Sequence, residues 1–173
     1  MNDVFIEYMI KRRVSLSGVF FRVLSSAVVA ILALLMMLVF MTVGFTATYI
    51  LFFVVLFGYV SYKVWQYTYV EYEYAYLNGE LTIDRISGQY RRKRMEVLDI
   101  KNAEIIAPEN SERLSGYNDK NFQSKDYSTR YKNHKKYVVI APGRKGITKV
   151  IIEPNDAILE AMKTIKPRDF YLT

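Results

Sequence analysis

The sequence predicts an α+β membrane protein in which a two-helix transmembrane hairpin precedes a β-rich domain that ends in a helix. Two observations predict this class. No Asp, Glu, Lys, Arg or His occurs between Val23 and Tyr62, and side-chain alternation with a period of two begins after Gln66. We divide the chain into three parts: an N-terminal segment at 1–19, a transmembrane hairpin at 20–66, and a cytoplasmic β domain at 67–173.

The uncharged window is about twice as long as one membrane-spanning helix, which takes about 20 apolar residues. It therefore predicts two helices, at about 20–42 and 46–66. Gly44 is the expected turn, because the threonines around it make this the most polar part of the window. Two alternatives are a buried helical pair of a soluble protein and a cleaved signal peptide, but soluble core helices rarely lack every charge over such a length.

A chain that folds back about Gly44 brings positions equally distant from it face to face. Ala30 then lies opposite Gly58. Small side chains at both positions let two helix backbones approach closely. We expect Ala30, Gly44 and Gly58 to determine the packing of the hairpin.

The basic residues beside the hairpin predict its orientation. Lys63 follows the second helix, the turn carries no positive charge, and basic residues accompany the first helix at Lys11, Arg12, Arg13 and Arg22. Because positive charges stay on the cytoplasmic side, we expect an integral protein of the cell membrane with both termini in the cytoplasm. The segment before the hairpin has apolar residues at near-helical spacing, which favours a short helix on the membrane surface or a flexible leader.

The β domain is predicted from six runs with strand character. In "VEYEYAY" the valine and the tyrosines share one face, and Glu71 and Glu73 are expected on the opposite, solvated face. Asn78-Gly79 predicts a type I′ turn into a second strand at Leu81–Ile86, since both residues tolerate positive φ. The remaining predicted strands are Tyr90–Val97, Ala103–Ala107, Tyr137–Ala141 and Thr148–Ile152.

A closing helix is predicted at 154–166. Ile158, Ala161, Met162 and Ile165 fall at helical spacing, and Pro167 ends the pattern. The narrow apolar stripe is expected to pack on the sheet or to plug one end of a barrel.

The order of these parts resembles a known bacterial family. A hairpin, then "LNGELTIDRISGQYRRKRMEVLDIKNAEIIAP", then a strand pair and "EPNDAILEAMKTI", is similar to the small clostridial-type membrane proteins of Firmicutes that carry a pleckstrin-homology-like (PH-like) domain. The resemblance implies an antiparallel β-sandwich or partly open barrel capped by the C-terminal helix. It brings no catalytic residues and no ligand. The fold usually has seven strands, so one further strand is expected in the long loop at 108–136.

The basic run Arg91, Arg92, Lys93 and Arg94 opens the third predicted strand. Two functions fit it equally well: contact with anionic lipid headgroups, and protection of a solvated edge strand. Arg92 and Arg94 oppose the phase of Met95 and Val97, so we expect these two arginines to face solvent. Nucleic acid is not expected as a partner, because the chain is tethered to a membrane.

The loop at 108–136 is too long and polar to be a simple connection. One interpretation makes it a partner-binding surface, and the other makes it a solvated excursion that its aromatic side chains hold in place. The candidate contact residues are Tyr117, Phe122, Asp126, Tyr127 and Tyr131.

Enzymatic function is not expected. The chain has no cysteine, and its one histidine, His134, lies in "KNHKK" without the oriented partners that a general base needs. No phosphate-binding loop, zinc motif or nucleophile elbow occurs. We therefore predict no catalytic residue, no cofactor and no metal.

These patterns together predict a membrane-anchored adaptor that holds a small β domain at the cytoplasmic face and binds a protein partner. The net charge of +7 favours anionic neighbours as well. Two alternatives are a sensor of anionic lipid headgroups and an accessory subunit of a transporter or membrane enzyme complex.

Overall fold

The computed structural model describes residues 5–43, 47–88, 90–117, 122–143 and 146–171. The elements there are eight strands, three α-helices and a short 3₁₀ helix at Glu112–Tyr117. The strands are β1 (Phe5–Lys11), β2 (Val70–Leu77), β3 (Glu80–Ser87), β4 (Arg91–Asp99), β5 (Ile105–Pro108), β6 (Gln123–Asp126), β7 (Tyr137–Gly143) and β8 (Gly146–Ile152). The helices are α1 (Leu16–Val43), α2 (Ala47–Tyr67) and α3 (Asp156–Ile165).

The chain forms two compact units. A helical unit comprises Val14–Val70 together with Ser87–Tyr90. A β unit comprises the residues up to Arg13, then Glu71–Ile86, and then the chain from Arg91 onward. The helical segment is therefore inserted between two parts of the sequence that fold together.

The first sheet of the β unit has the strand order β1-β2-β3-β4. β1 pairs antiparallel with β2, from Phe5 opposite Leu77 to Lys11 opposite Glu71. The expectation of a surface helix or a flexible leader at the N-terminus is thus wrong. Ile10 is buried and Tyr8 packs 6.3 Å from the Tyr74 ring, so burial against β2 decides the conformation of a segment whose own pattern is ambiguous.

The predicted type I′ turn is confirmed. Asn78 has φ 47° and Gly79 has φ 92°, so both central residues lie in the left-handed region that this turn requires. The turn joins β2 to β3 with no further residue between the strands. It fixes the register of β3 against β2, the strand that carries the buried Tyr72, Tyr74 and Tyr76.

The second sheet has the order β5-β7-β8-β6. The strand expected inside the long loop is present as β6, and it pairs parallel to β8 from Gln123 opposite Thr148 to Asp126 opposite Ile151. A sandwich of only antiparallel strands is therefore not correct at this edge. A short strand that returns to the sheet after a loop can pair in either direction, and the loop sequence does not determine which.

The core of the β unit lies between the sheets and α3. Its fully buried side chains include Tyr74, Tyr76, Leu81 and Ile83. The C-terminal helix is confirmed: Asn155 caps it by accepting a 3.0 Å hydrogen bond from the Ile158 amide. Ile158 and Met162 of the predicted stripe are completely buried, and Tyr76 donates a 3.3 Å hydrogen bond to the carbonyl of Ala161.

In the helical unit, α1 and α2 contact each other. Arg22 near the start of α1 donates a 2.6 Å hydrogen bond to Thr68 Oγ1, and its guanidinium lies 5.2 Å from the centre of the Trp65 ring. Among the described residues, one segment is long and apolar enough to cross a membrane, Leu16–Thr42 of α1. The expected turn residue, Gly44, lies outside the described residues.

The expected close contact of Ala30 with Gly58 is not found. A Cβ atom placed on Gly58 would meet no atom within 4 Å, and Ala30 is exposed. The space beside Gly58 instead belongs to an open groove between the helices. Equal distance from the turn predicts facing positions only if both helices are straight and in phase, and the sequence does not fix the phase.

Candidate functional site

The basic run on β4 faces a group of carboxylates on neighbouring strands. Arg92 forms ion pairs with Glu73 on β2 and with Asp84 on β3, the latter at 4.0 Å. Arg94 lies 3.5 Å from Asp84. The side chains of Glu73 and Asp84 are 8% and 10% exposed, so these arginines compensate carboxylates that water barely reaches.

Arg92 and Arg94 do face solvent as expected, with side chains that are 58% and 60% exposed, but both also form ion pairs with these carboxylates. They share the phase of Glu96 and Leu98, which are buried, whereas Met95 and Val97 are only half-buried. Glu71 and Glu73, expected on a solvated face, are buried as well. The prediction assumed that the apolar side chains of a strand face the interior. This assumption fails for a strand face whose charged side chains are buried in ion pairs.

Arg91 and Lys93 are the members of the run that remain available. Both are exposed, and neither forms an ion pair among the residues that the structure describes. Positive charges in this state can meet an external anion without first losing an internal partner. They are the better candidates for anion contact.

A second buried ion pair lies further along β4. Lys125 on β6 pairs with Glu96, whose side chain is 1% exposed, while the Lys125 side chain is 21% exposed. Glu96 Oε1 has no hydrogen-bond partner among the described residues. The pair joins a strand of the first sheet to a strand of the second, and it is a feature that hydrophobic patterning could not reveal.

Two of the loop candidates, Tyr117 and Phe122, pack against a small apolar cluster on the second sheet. The buried members of this cluster are Ile105, Ala107, Leu114, Val138 and Ile140. The Tyr117 and Phe122 rings also lie 6.4 Å apart. These side chains hold the loop on the sheet, which favours the structural interpretation for them.

Tyr127 is a core residue of the β unit. It is 5% exposed, its ring meets the Tyr72 ring edge-on at 5.3 Å, and its carbonyl accepts a 2.8 Å hydrogen bond from Tyr74 Oη. Burial raises the pKa of the Tyr127 hydroxyl to about 12. A side chain in this environment cannot reach a partner protein.

Asp126 organises the turn that follows β6. It accepts hydrogen bonds of 2.9 Å and 2.7 Å from the Ser128 amide and hydroxyl, and a 3.1 Å bond from Arg130. Arg12 lies 3.6 Å away. Burial acts to raise the pKa of Asp126, but the Ser128 and Arg130 hydrogen bonds and the Arg12 charge together hold that pKa below its usual value.

An Asp126→Asn variant is expected to lose stability at neutral pH by about 1 kcal/mol, because its hydrogen bonds to Arg130 and Ser128 lose their charge. Since the folded-state pKa is lowered, the carboxylate stabilises the fold above the unfolded-state pKa, and this contribution disappears as pH falls through the folded-state pKa. Unfolding of both proteins at pH 7 and pH 3 should therefore give curves that converge in acid. A gap that stays constant would contradict this role.

Tyr131 is the loop candidate that remains accessible, at 44% exposure. The Arg13 guanidinium lies 5.8 Å from its ring centre, and the His134 ring lies 5.3 Å away. Of the five candidates in the loop, it has the most exposed aromatic surface for an external partner.

The expectation that His134 has no oriented partners is wrong, because a polar cluster surrounds it beside Tyr131. Buried Glu153 accepts a 2.9 Å hydrogen bond from Thr129 Oγ1 and lies 3.2 Å from His134 Nδ1. Thr129 Oγ1 lies 3.3 Å from the same ring nitrogen. A nucleophile relay needs its hydroxyl and its carboxylate on opposite nitrogens of the imidazole, so this arrangement does not constitute one. Within the described residues, no group of His, Asp or Glu side chains could hold a metal ion.

The helical unit contains the groove that opens beside Gly58. It encloses about 740 Å³, and its walls come from α1, α2 and the residues that follow α2. The lining residues are Arg22, Ser26, Val29, Gly58, Ser61, Tyr62, Trp65, Gln66, Tyr69 and Gly88.

A family model described as "Bacterial PH-like domain (DUF6106)" matches residues 2–172, nearly the whole chain. No curated protein and no solved structure matches. The match includes β1 and the helical segment as well as the strands that follow.

Proposed function

The chain belongs to the bacterial PH-like domain family (DUF6106), and from this membership we propose that it is a membrane-anchored, non-catalytic binding module. A PH-like domain suggests binding rather than catalysis. The anchor is the helical unit, and the binding surfaces lie on the β unit. The chain thus acts as an adaptor that holds a protein partner at the cell membrane.

Membrane insertion is supported by the surface of the helices. Helix α1 has 28 residues, and its apolar side chains are widely exposed, for example Leu34 at 62% and Met41 at 71%. Helix α2 has 21 residues with Lys63 as its one charged residue, and Phe52 and Val55 are exposed at 62% and 63%. A monomer in water rarely exposes so large an apolar surface, whereas a bilayer covers it.

The pairing of β1 with β2 is the main support for a transmembrane hairpin. Lys11 is paired with Glu71, so the chain leaves the β unit and returns to it at neighbouring positions. If α1 crosses the bilayer, α2 must therefore cross back, which makes the helices a transmembrane hairpin. The basic residues at Lys11–Arg13 favour the cytoplasm for both termini.

Single-cysteine labelling tests this topology. The sequence has no cysteine, so only the introduced residue can react. Thr42 and Lys163 are both exposed, one at the end of α1 and one on α3. In intact cells a membrane-impermeant maleimide should label Thr42→Cys and spare Lys163→Cys. After permeabilisation both should react. Equal labelling of the two variants in intact cells would rule out the hairpin.

A protein partner is supported by an apolar patch on the first sheet. Phe5 and Leu77 are cross-strand neighbours, and Met9 lies on the same face beyond the exposed Glu7. The side chains of Phe5, Leu77 and Met9 are 59%, 46% and 49% exposed. We call Phe5, Met9 and Leu77 the β1 patch. Exposed apolar side chains grouped on one sheet face are typical of protein contacts.

Photo-crosslinking from the β1 patch tests the adaptor role. A photoreactive residue at Met9 in native membranes should capture one protein in near-stoichiometric amount. Phe5→Ser combined with Leu77→Ser should reduce the capture about tenfold, since two apolar contacts are lost. The matched control is Tyr90→Ser, at a side chain that is 84% exposed and outside the patch. Capture that is equally weak or equally strong in all these proteins would contradict the proposal.

A second function, sensing of anionic lipid, is favoured because Arg91 and Lys93 are exposed and form no ion pair with any residue that the structure describes. Each such charge near an anionic surface gains about 1 kcal/mol. In the full chain in nanodiscs, acetylation of Lys93 should slow when phosphatidylglycerol replaces phosphatidylcholine. Lys163 in the same molecule is the internal control. An unchanged Lys93 rate would end the lipid-sensing alternative.

A further inference from the structure

The groove of the helical unit contains the only charged side chain between Val14 and Tyr62, Arg22. Its hydrogen-bond partners are Thr68 Oγ1 at 2.6 Å and the Trp65 carbonyl at 3.4 Å, and its guanidinium lies by the Trp65 ring. All three groups are neutral. The guanidinium is positioned by its neighbours, but its charge is not compensated by them.

The sequence of the helical unit offers no acid that could compensate Arg22. No Asp or Glu occurs between Tyr8 and Val70. An arginine in or near a hydrocarbon layer is costly unless it meets an anion or water. Arg22 is half-buried, so its positive charge needs a negative charge nearby. A ligand bound in the groove can supply it.

The groove is polar at one end and apolar at the other. At one end Arg22 is accompanied by Gln66 and Tyr62, which are hydrogen-bonded to each other at 2.7 Å. At the other end lie Val29 and the open surface of Gly58. Arg22 and Val29 are seven residues apart on α1, about 10 Å along a helix axis. A ligand that fits both ends is amphiphilic, with its anionic part at Arg22.

We propose that this groove binds one anionic phospholipid, with the phosphate at Arg22 and an acyl chain along Val29 and Gly58. The inference rests on the proposed membrane insertion of α1 and α2. It concerns a different surface from the basic run on β4. Charge complementarity favours a lipid over a partner helix as the occupant, because an apolar helix would leave Arg22 uncompensated.

The site can be blocked without disturbing the helix pair, because a Cβ on Gly58 meets no atom within 4 Å. Gly58→Leu should fill the apolar end, and Arg22→Gln should remove the charge while keeping a hydrogen-bond donor for Thr68. Ala30→Leu is the matched control, since Ala30 is an exposed small residue of α1 that does not line the groove.

Native mass spectrometry of the full chain in detergent provides the measurement. We expect one adduct of phosphatidylglycerol on the wild-type chain and on Ala30→Leu. Binding should fall about tenfold in Arg22→Gln and in Gly58→Leu, the loss expected for one charge-assisted contact or one blocked chain. Diacylglycerol with the same chains and glycerol phosphate should each bind about tenfold more weakly than phosphatidylglycerol.

Wild-type binding in both groove variants, or equal binding of diacylglycerol or glycerol phosphate, would overturn the lipid site. Alkaline extraction of cell membranes separates this failure from failure of the anchor. A chain that alkali releases contradicts membrane insertion itself. A chain that resists alkali but carries no specific phosphatidylglycerol contradicts the groove proposal alone.

Discussion

Lys125→Met is expected to lower the free energy of unfolding of the β unit by about 3–5 kcal/mol, because it leaves the Glu96 carboxylate buried without its cation. Glu96 is 1% exposed, and one of its oxygens already lacks a hydrogen-bond partner within the part of the chain that the structure describes. Hydrogen exchange of the β7 amides in the full chain, in detergent, measures the loss.

The double variant Lys125→Met/Glu96→Leu is the control for this prediction. Replacing both members of a buried ion pair by apolar side chains of similar size is often neutral or stabilising. We therefore expect the second change to recover most of the lost protection. Wild-type protection in Lys125→Met alone would mean that Glu96 is not held by this pair.

Arg92→Gln/Arg94→Gln is expected to destabilise the β unit by about 1–3 kcal/mol, since Glu73 and Asp84 then remain buried without their cations. The value is below that of a fully buried pair because the two arginine side chains are 58% and 60% exposed and water screens them. Thermal unfolding of the full chain in detergent should show a lower midpoint.

Arg91→Gln/Lys93→Gln is the matched control, with the same loss of charge from the same strand. Because these two side chains are exposed and form no ion pair among the described residues, the unfolding midpoint should stay within experimental error of wild type. Equal destabilisation by the two double variants would contradict the division of the basic run. The result also decides which pair can be removed in lipid experiments without damaging the fold.

The pairing of β1 with β2 restricts how such experiments are built. A fragment that starts after α2 lacks Phe5–Lys11, and with it the edge strand that covers Tyr72, Tyr74 and Tyr76. Lipid and partner binding should therefore be measured on the full chain. A fragment without β1 would report on an incomplete sheet.

Features that depend on chemistry between neighbours in the chain could be predicted before folding is considered. Asn78-Gly79 takes positive φ at low cost, so the turn and the β2–β3 hairpin followed directly. Asn155 and the apolar spacing from Ile158 to Met162 identified α3 and its buried face. The apolar composition predicted the first helix at about 20–42, and α1 begins four residues earlier, at Leu16. The order of these elements pointed to the family.

Which side chains are available for function depends on contacts that form only when the chain folds. Tyr127 became a core residue because Tyr72 and Tyr74 cover it, and Arg92 and Arg94 became structural because carboxylates from β2 and β3 lie beneath them. Phe5–Lys11 became a strand because β2, distant in sequence, offers it hydrogen bonds and an apolar face. Turns, caps and apolar periodicity arise from neighbours along the chain, whereas burial and ion pairing depend on residues that only folding brings together.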